Sequence, residues 1–344
     1  MSYTQKADKR EIILLCVNSS VMFISFLVLI YINFNRTYIP LKCKNIRLIN
    51  VLYVSIFCWY VGDIYTYLPT LVPISQPICL ATSAWLRISV GAYTLIGCHL
   101  FRIYQYHSIF QWHRRAKGWY LWVPIALCAF APITYGLLAS ILPESQSISF
   151  DLDPAMCSAA KPIYFAAFGF LLTLILCWIY ATLLMKYVNV CFSEYRELLV
   201  VTISCILVLI LQVVLRWVPG FDGTGIGYSI VTSVTDLFIG QVSFYSIIWR
   251  PTYHCLVNRD EYLIYFLRTL ERQNRMAEYE LANGAVFMSN YNGTVDVDVA
   301  YSIAGSTKDL VKMVRPSDKN SIYNVDDGYY EDIEHGTPPG RKLV

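Results

Sequence analysis

The sequence predicts an all-α membrane protein, a bundle of seven membrane-crossing helices. Three observations predict it. Only 15% of the 344 residues are charged and 56% are hydrophobic, with a mean hydropathy of +0.46, whereas a soluble domain carries roughly a quarter charged residues. Long apolar runs recur as far as Trp249, each able to cross a hydrocarbon core about 30 Å thick. Basic residues cluster in the first and third connections, while Glu144, Asp151, Asp153 and Asp222 lie in the opposite ones.

Residues 1–10 are polar and charged and form a short N-terminus. They lead into a run too long for the apolar part of a signal peptide, so the first helix itself is expected to direct insertion. That helix covers about Glu11 to Phe34 and is apolar apart from Asn18, Ser19, Ser20 and Asn33. A basic connection with Arg36, Lys42, Lys44 and Arg47 follows. The second helix, about Leu48 to Val72, contains Asp63. An uncharged link, PISQP, leads to the third helix, Cys79 to Tyr106, which carries Arg87, His99 and Arg102. The most basic connection comes next, HSIFQWHRRAKG, with Arg114, Arg115 and Lys117. The fourth helix runs from about Trp119 to Leu142 and holds Pro124 and Pro132. Proline is tolerated there because neighbouring helices satisfy the freed carbonyls.

A long acidic connection, PESQSISFDLDPAMCSAAK, contains Cys157. The fifth helix covers about Pro162 to Val188 and the sixth about Leu198 to Pro219. A glycine-rich turn, GFDGTG, precedes the seventh, about Ile226 to Trp249. The bundle therefore occupies residues 11–249. In residues 250–282, Leu256, Leu263, Phe266, Leu267 and Leu270 recur at helical spacing opposite charged positions, which predicts an amphipathic helix lying along the inner leaflet. Residues 283–344 are polar and acidic without periodicity and are expected to form a disordered tail.

Charge sets the expected topology. Lys and Arg cluster after the first and third helices, while Glu144, Asp151, Asp153 and Asp222 lie in the opposite connections. The positive-inside rule places the N-terminus outside and the C-terminus in the cytosol, although Lys6, Lys9 and Arg10 pull mildly the other way. The net charge of +3, spread over short loops, excludes a nucleic-acid-binding stripe. The expected surroundings are membrane lipid.

The chain has 11 cysteines, most of them inside apolar runs, where they read as small buried hydrophobes. None has metal-ligand spacing, so no metal or other cofactor is expected. Cys79 and Cys157 are the two that clearly face the oxidising side. A bridge between them would pin the second outer loop over the bundle mouth; the alternative is two free thiols. Cys255, just past the seventh helix, is a candidate for palmitoylation or an ordinary juxtamembrane thiol.

Charges inside membrane helices are costly and face one another or a wet cavity. At about 1.5 Å per residue, Arg87 lies about 12 Å below Cys79, Asp63 about 13 Å and Asp236 about 15 Å below the outer ends of their helices. These three groups share one layer. They form either a structural salt bridge or a polar ligand site that binding loosens. Tyr93, Arg216 and Trp217 are candidates to line the same cavity. At the other end of the third helix, His99, Arg102 and Tyr106 share a face through their i, i+3, i+7 spacing. Arg102 either snorkels to phosphates or holds the inner ends of the third and sixth helices together, with Glu194 and Glu197 as partners.

Seven helices, an outside N-terminus, a cysteine opening the third helix and an arginine near its inner end resemble a G-protein-coupled receptor. The resemblance covers about Glu11 to Leu270. The rhodopsin-like signatures are missing: Phe101-Arg102-Ile103 stands where that family has Asp/Glu-Arg-Tyr, and the seventh helix reads SFYSIIWRPTY without Asn-Pro-x-x-Tyr. The phrases HLFRIYQYHSIFQWHRRAKG, FSEYRELL and RPTYHCLVNRDEYLIYFL are similar to fungal seven-helix receptors that often carry an RGS domain, for which residues 250–344 are short.

The resemblance implies a receptor in the plasma membrane that senses an extracellular ligand. It implies coupling to the Gα subunit of a heterotrimeric G protein through the Arg102 region, Arg114, Arg115 and Lys117, and no enzymatic activity. A small polytopic transporter of a polar solute is the alternative, although no convincing internal repeat relates the first three helices to the last three. A retinal protein is disfavoured because no lysine lies between Ile226 and Trp249.

Overall fold

The computed structural model describes residues 9–67, 75–110, 112, 118–152, 155–185, 194–217 and 226–272. Arg114, Arg115, Lys117 and the tail from residue 273 lie outside the described residues. Among the described residues, seven helices are long and apolar enough to cross a membrane, and the chain is a multi-pass, all-α membrane protein. They begin with α1 (Lys9–Phe34), followed by the short non-spanning α2 (Ile39–Cys43) and by α3 (Ile46–Tyr67). The third span is one continuous run of α4 (Gln76–Leu80), a π-helical segment (Ala81–Tyr93) and α5 (Thr94–Phe110). Then come α6 (Trp119–Ile141), α7 (Lys161–Leu184), α8 (Glu194–Trp217), α9 (Ile226–Val257) and the short α10 (Arg259–Arg272).

The spans are embedded unequally. In their most apolar stretches, 44% of α3, 50% of the third span and 44% of α9 are buried, against 17% for both α7 and α8. The second, third and seventh spans thus form the centre, which is where Asp63, Arg87 and Asp236 sit. Two glycines bring the second and third spans together. A Cβ at Gly62 would fall 2.5 Å from the Arg87 Cβ, and one at Gly91 would fall 2.7 Å from the Trp59 Cβ. Each span offers a notch to a side chain of the other, and the pairing aligns Asp63 with Arg87. The π-helical segment carries Arg87 in its middle; such segments bond main-chain groups five residues apart.

The acidic connection after α6 is not a loop throughout. It folds into an antiparallel hairpin, β1 (Ile148–Leu152) on β2 (Ala155–Ala159), with Phe150 opposite Cys157. The period-two alternation of Ile148, Phe150 and Leu152 is the strand signal. Ile148 is buried among Cys79, Ala84, Tyr93, Tyr135, Ala139 and Ile163, the apolar core at this end of the bundle. Gln76 acts as a third edge: its Nε2 donates to the Ile148 carbonyl at 2.8 Å, and the Phe150 amide donates to its Oε1 at 2.6 Å. Unpaired strand groups are thereby satisfied by a side chain.

Cys79 and Cys157 form a disulfide with their Cα atoms 5.7 Å apart. The bridge closes a loop across a sequence separation of 78, for which chain entropy gives a stabilisation of about 4 kcal/mol. Cys79→Ser, Cys157→Ser and the double variant should therefore lower the melting temperature equally. A double variant melting well below either single would show that the two sulfurs act separately.

Residues 250–257 of the expected amphipathic segment instead continue α9, with Leu256 exposed, and the apolar face of α10 meets protein. Leu263, Phe266, Leu267 and Leu270 are buried, and α10 packs on α9 and α2. Three contacts fix it. The Tyr38 hydroxyl donates to the Arg259 carbonyl at 3.1 Å, the Arg259 guanidinium lies over the Tyr38 ring, and His254 stacks on Tyr262 at 4.1 Å. Burial pushes the Tyr38 phenol well above its ordinary range, so it stays a donor. Cys255 is 5% exposed and accepts a hydrogen bond from the Tyr31 hydroxyl at 3.6 Å. That is the setting of a structural thiol, and an acyl chain would have to displace it.

Candidate functional site

The charged layer closes into one cluster. Arg87 Nε donates to Asp63 Oδ1 at 2.5 Å, and Arg87 Nη2 donates to Asp236 Oδ2 at 2.9 Å. One guanidinium therefore bridges α3 and α9 from the third span between them. Asp236 gains two further donors: Trp59 Nε1 at 3.2 Å and Gln212 Nε2 at 2.5 Å. Gln212 belongs to α8, so four spans meet at this carboxylate. One helical turn along the second span, Thr66 and Ser83 share a hydrogen bond of 2.9 Å.

The electrostatics follow from burial. The carboxylate side chains of Asp63 and Asp236 are 3% and 1% exposed, and that of Arg87 is 17%. Ions so enclosed are tolerable only when their lone pairs and protons are taken up, and here each carboxylate meets a charge-assisted donor. The low dielectric strengthens every bond in such a network and makes the loss of any member expensive. Arg87 is the most exposed of the three charged groups.

The other sequence-predicted residues divide. Tyr93 is not brought to the cluster. Its hydroxyl donates to the Ala167 carbonyl at 2.7 Å and its ring sits edge-on to Tyr135 at 5.5 Å, so it faces α6 and α7. Six residues along from Arg87, the helix has turned it onto another face. Arg216 and Trp217 end α8, and their side chains lie outside the described residues. Gln212 and Trp59 were not anticipated. A lone amide in the apolar run LVLILQVVLRW is a signal in itself, and Trp59 stands one turn before Asp63 on the same face.

At the opposite end of the third span, His99 is buried and stacks on Trp178 of α7 at 4.8 Å. Arg102 is 3% exposed, so it does not snorkel. Its Nη2 donates to the Tyr106 hydroxyl at 3.4 Å and its guanidinium lies 5.6 Å from the Tyr106 ring centroid. The Tyr106 hydroxyl donates in turn to the Cys43 carbonyl at 3.4 Å. Glu197 receives Lys44 Nζ on both carboxylate oxygens at 2.8 Å. The Glu194 side chain lies outside the described residues.

Among the described residues no group of three or more His, Cys, Asp or Glu could hold a metal ion. What the cluster offers chemically is a set of opposed charges on separate helices, which a ligand or a movement can rearrange. No family model and no curated protein matches this chain.

Proposed function

We propose that the protein is a plasma-membrane receptor, with its N-terminus outside and its C-terminus in the cytosol. In this reading it senses an extracellular ligand and activates a heterotrimeric G protein. The observation that carries the reading is the single guanidinium bridging Asp63 and Asp236 from a third span. A ligand shifts an equilibrium only by binding one state better than the other. A buried ionic bridge between helices supplies two such states, bridged and opened. The hairpin pinned by Cys79 and Cys157 sits at the end of the bundle that the charge bias assigns to the exterior.

The test needs no ligand. Wild type and Asp236→Asn, purified and placed in lipid nanodiscs, are mixed with Gα subunits of each class and the uptake of a non-hydrolysable GTP analogue is followed. The expected result is ligand-independent exchange several-fold faster with the variant, at roughly the acceleration that 1–2 kcal/mol of coupling gives. Exchange that neither protein accelerates, together with solute flux in proteoliposomes that Asp236→Asn abolishes, would replace the receptor by a transporter.

A further inference from the structure

The span α8 is lightly held. Only 17% of its most apolar stretch is buried, and Val200, Ile203, Leu207, Ile210 and Val214 are all about half exposed. Among the described residues, its polar attachments to the rest of the bundle include Glu197 to Lys44, Thr202 to Thr182 at 3.4 Å, and Gln212 to Asp236. Glu197 and Gln212 are separated by about 22 Å at the rise of an α-helix. The hydroxyl contact between them is long, so the two end attachments dominate.

The Lys44–Glu197 pair is unusual for its enclosure. The two side chains are 7% and 12% exposed, and the ammonium meets both oxygens at 2.8 Å. Its two halves are anchored differently. Lys44 ends α2, and its amide donates to the Leu41 carbonyl. The next residue, Asn45, takes φ +55° and starts α3, while its Nδ2 donates to Gln105 of α5 at 2.9 Å. A left-handed asparagine fixed by a side-chain bond makes a stiff corner. Glu197, in contrast, lies in the first turn of α8, one of the two least embedded spans. Tyr262 of α10 feels the charges of Lys44, Glu197 and Arg250, so α2, α8, α9 and α10 all approach this point.

We propose that Lys44 and Glu197 form a latch that holds the α2 end of α8 against the fixed corner, and that Gln212 couples the latch to the ionic cluster through the same helix. Removing either partner takes away an enclosed ion pair and leaves its other half less well compensated, so the α8 end moves outward until water reaches that charge. The latch goes beyond the receptor reading and does not require it. A transporter would use it equally.

The experiment is backbone hydrogen exchange on the full chain in nanodiscs, read over residues 195–201 in wild type, Lys44→Ala, Glu197→Gln and the swap Lys44→Glu with Glu197→Lys. Amides in the middle of α3 and α9 serve as the control for folding. The single variants are expected to exchange about tenfold faster over 195–201 with the control amides unchanged, and the swap to return most of the protection. Unchanged exchange in the singles, or a swap as fast as either single, overturns the latch. Where Lys44→Ala also loses its control amides, Glu197→Gln, which keeps the side-chain shape, decides. Faster exchange over 195–201 without any added nucleotide exchange on Gα supports the latch and counts against the receptor.

Discussion

Arg87→Ala is expected to damage the protein more than Arg87→Ala combined with Asp63→Asn. The single variant leaves two enclosed carboxylates, 3% and 1% exposed, facing each other without the guanidinium that joins them. Breaking a buried pair by removing one partner costs about 3–5 kcal/mol, because the remaining charge stays desolvated. The double variant removes one of the two orphaned charges. Asp236 still receives Trp59 and Gln212, so much of the loss should be recovered. Arg87→Lys should fall near the alanine variant, since a single ammonium lacks the fork that reaches two carboxylates in different directions. The measurement is the melting temperature of each variant in nanodiscs, arranged as a double-mutant cycle. A coupling energy near zero between positions 63 and 87 would mean that the bridge does not hold the bundle.

The membrane-embedded fold is legible because its signals are one-dimensional. Apolar runs separated by short charged connections mark the spans, and residue counting from their ends is enough to place Asp63, Arg87 and Asp236 at one level. The bridge itself follows from that level. What a residue count does not carry is rotation about each helix axis. Tyr93, a candidate to line the cavity, faces α6 and α7, and the π-helical segment around Arg87 changes the turn per residue on which such placement relies.

The same gap hides Lys44 and Glu197, 153 residues apart, whose meeting depends on the corner at Asn45. Periodicity showed that α10 has an apolar face, but it cannot distinguish lipid from protein as the surface that face meets. The hairpin has its strand signal in the alternation of Ile148, Phe150 and Leu152, which spans only five residues of a polar connection.

Gly62→Ala is expected to be nearly as harmful as the loss of Arg87, although it adds only a methyl group. The new Cβ would lie 2.5 Å from the Arg87 Cβ, 2.7 Å from its Cα and 2.8 Å from its N. Two of those three are backbone atoms, so no side-chain rotation can relieve the contact, and the second and third spans must part. Overpacking of this kind costs about 3 kcal/mol in a close-packed interior. Here it also lengthens the neighbouring Asp63–Arg87 bond, which puts part of the ionic term at risk. Gly169→Ala is the control: nothing lies within 4 Å of the added atom, and alanine is the better helix former by about 1 kcal/mol. The two substitutions change composition identically, so a large fall in melting temperature for Gly62→Ala beside no fall for Gly169→Ala isolates the helix contact. Were both variants to melt with the wild type, the second and third spans would not be packed through Gly62, and the alignment of Asp63 with Arg87 would need another cause.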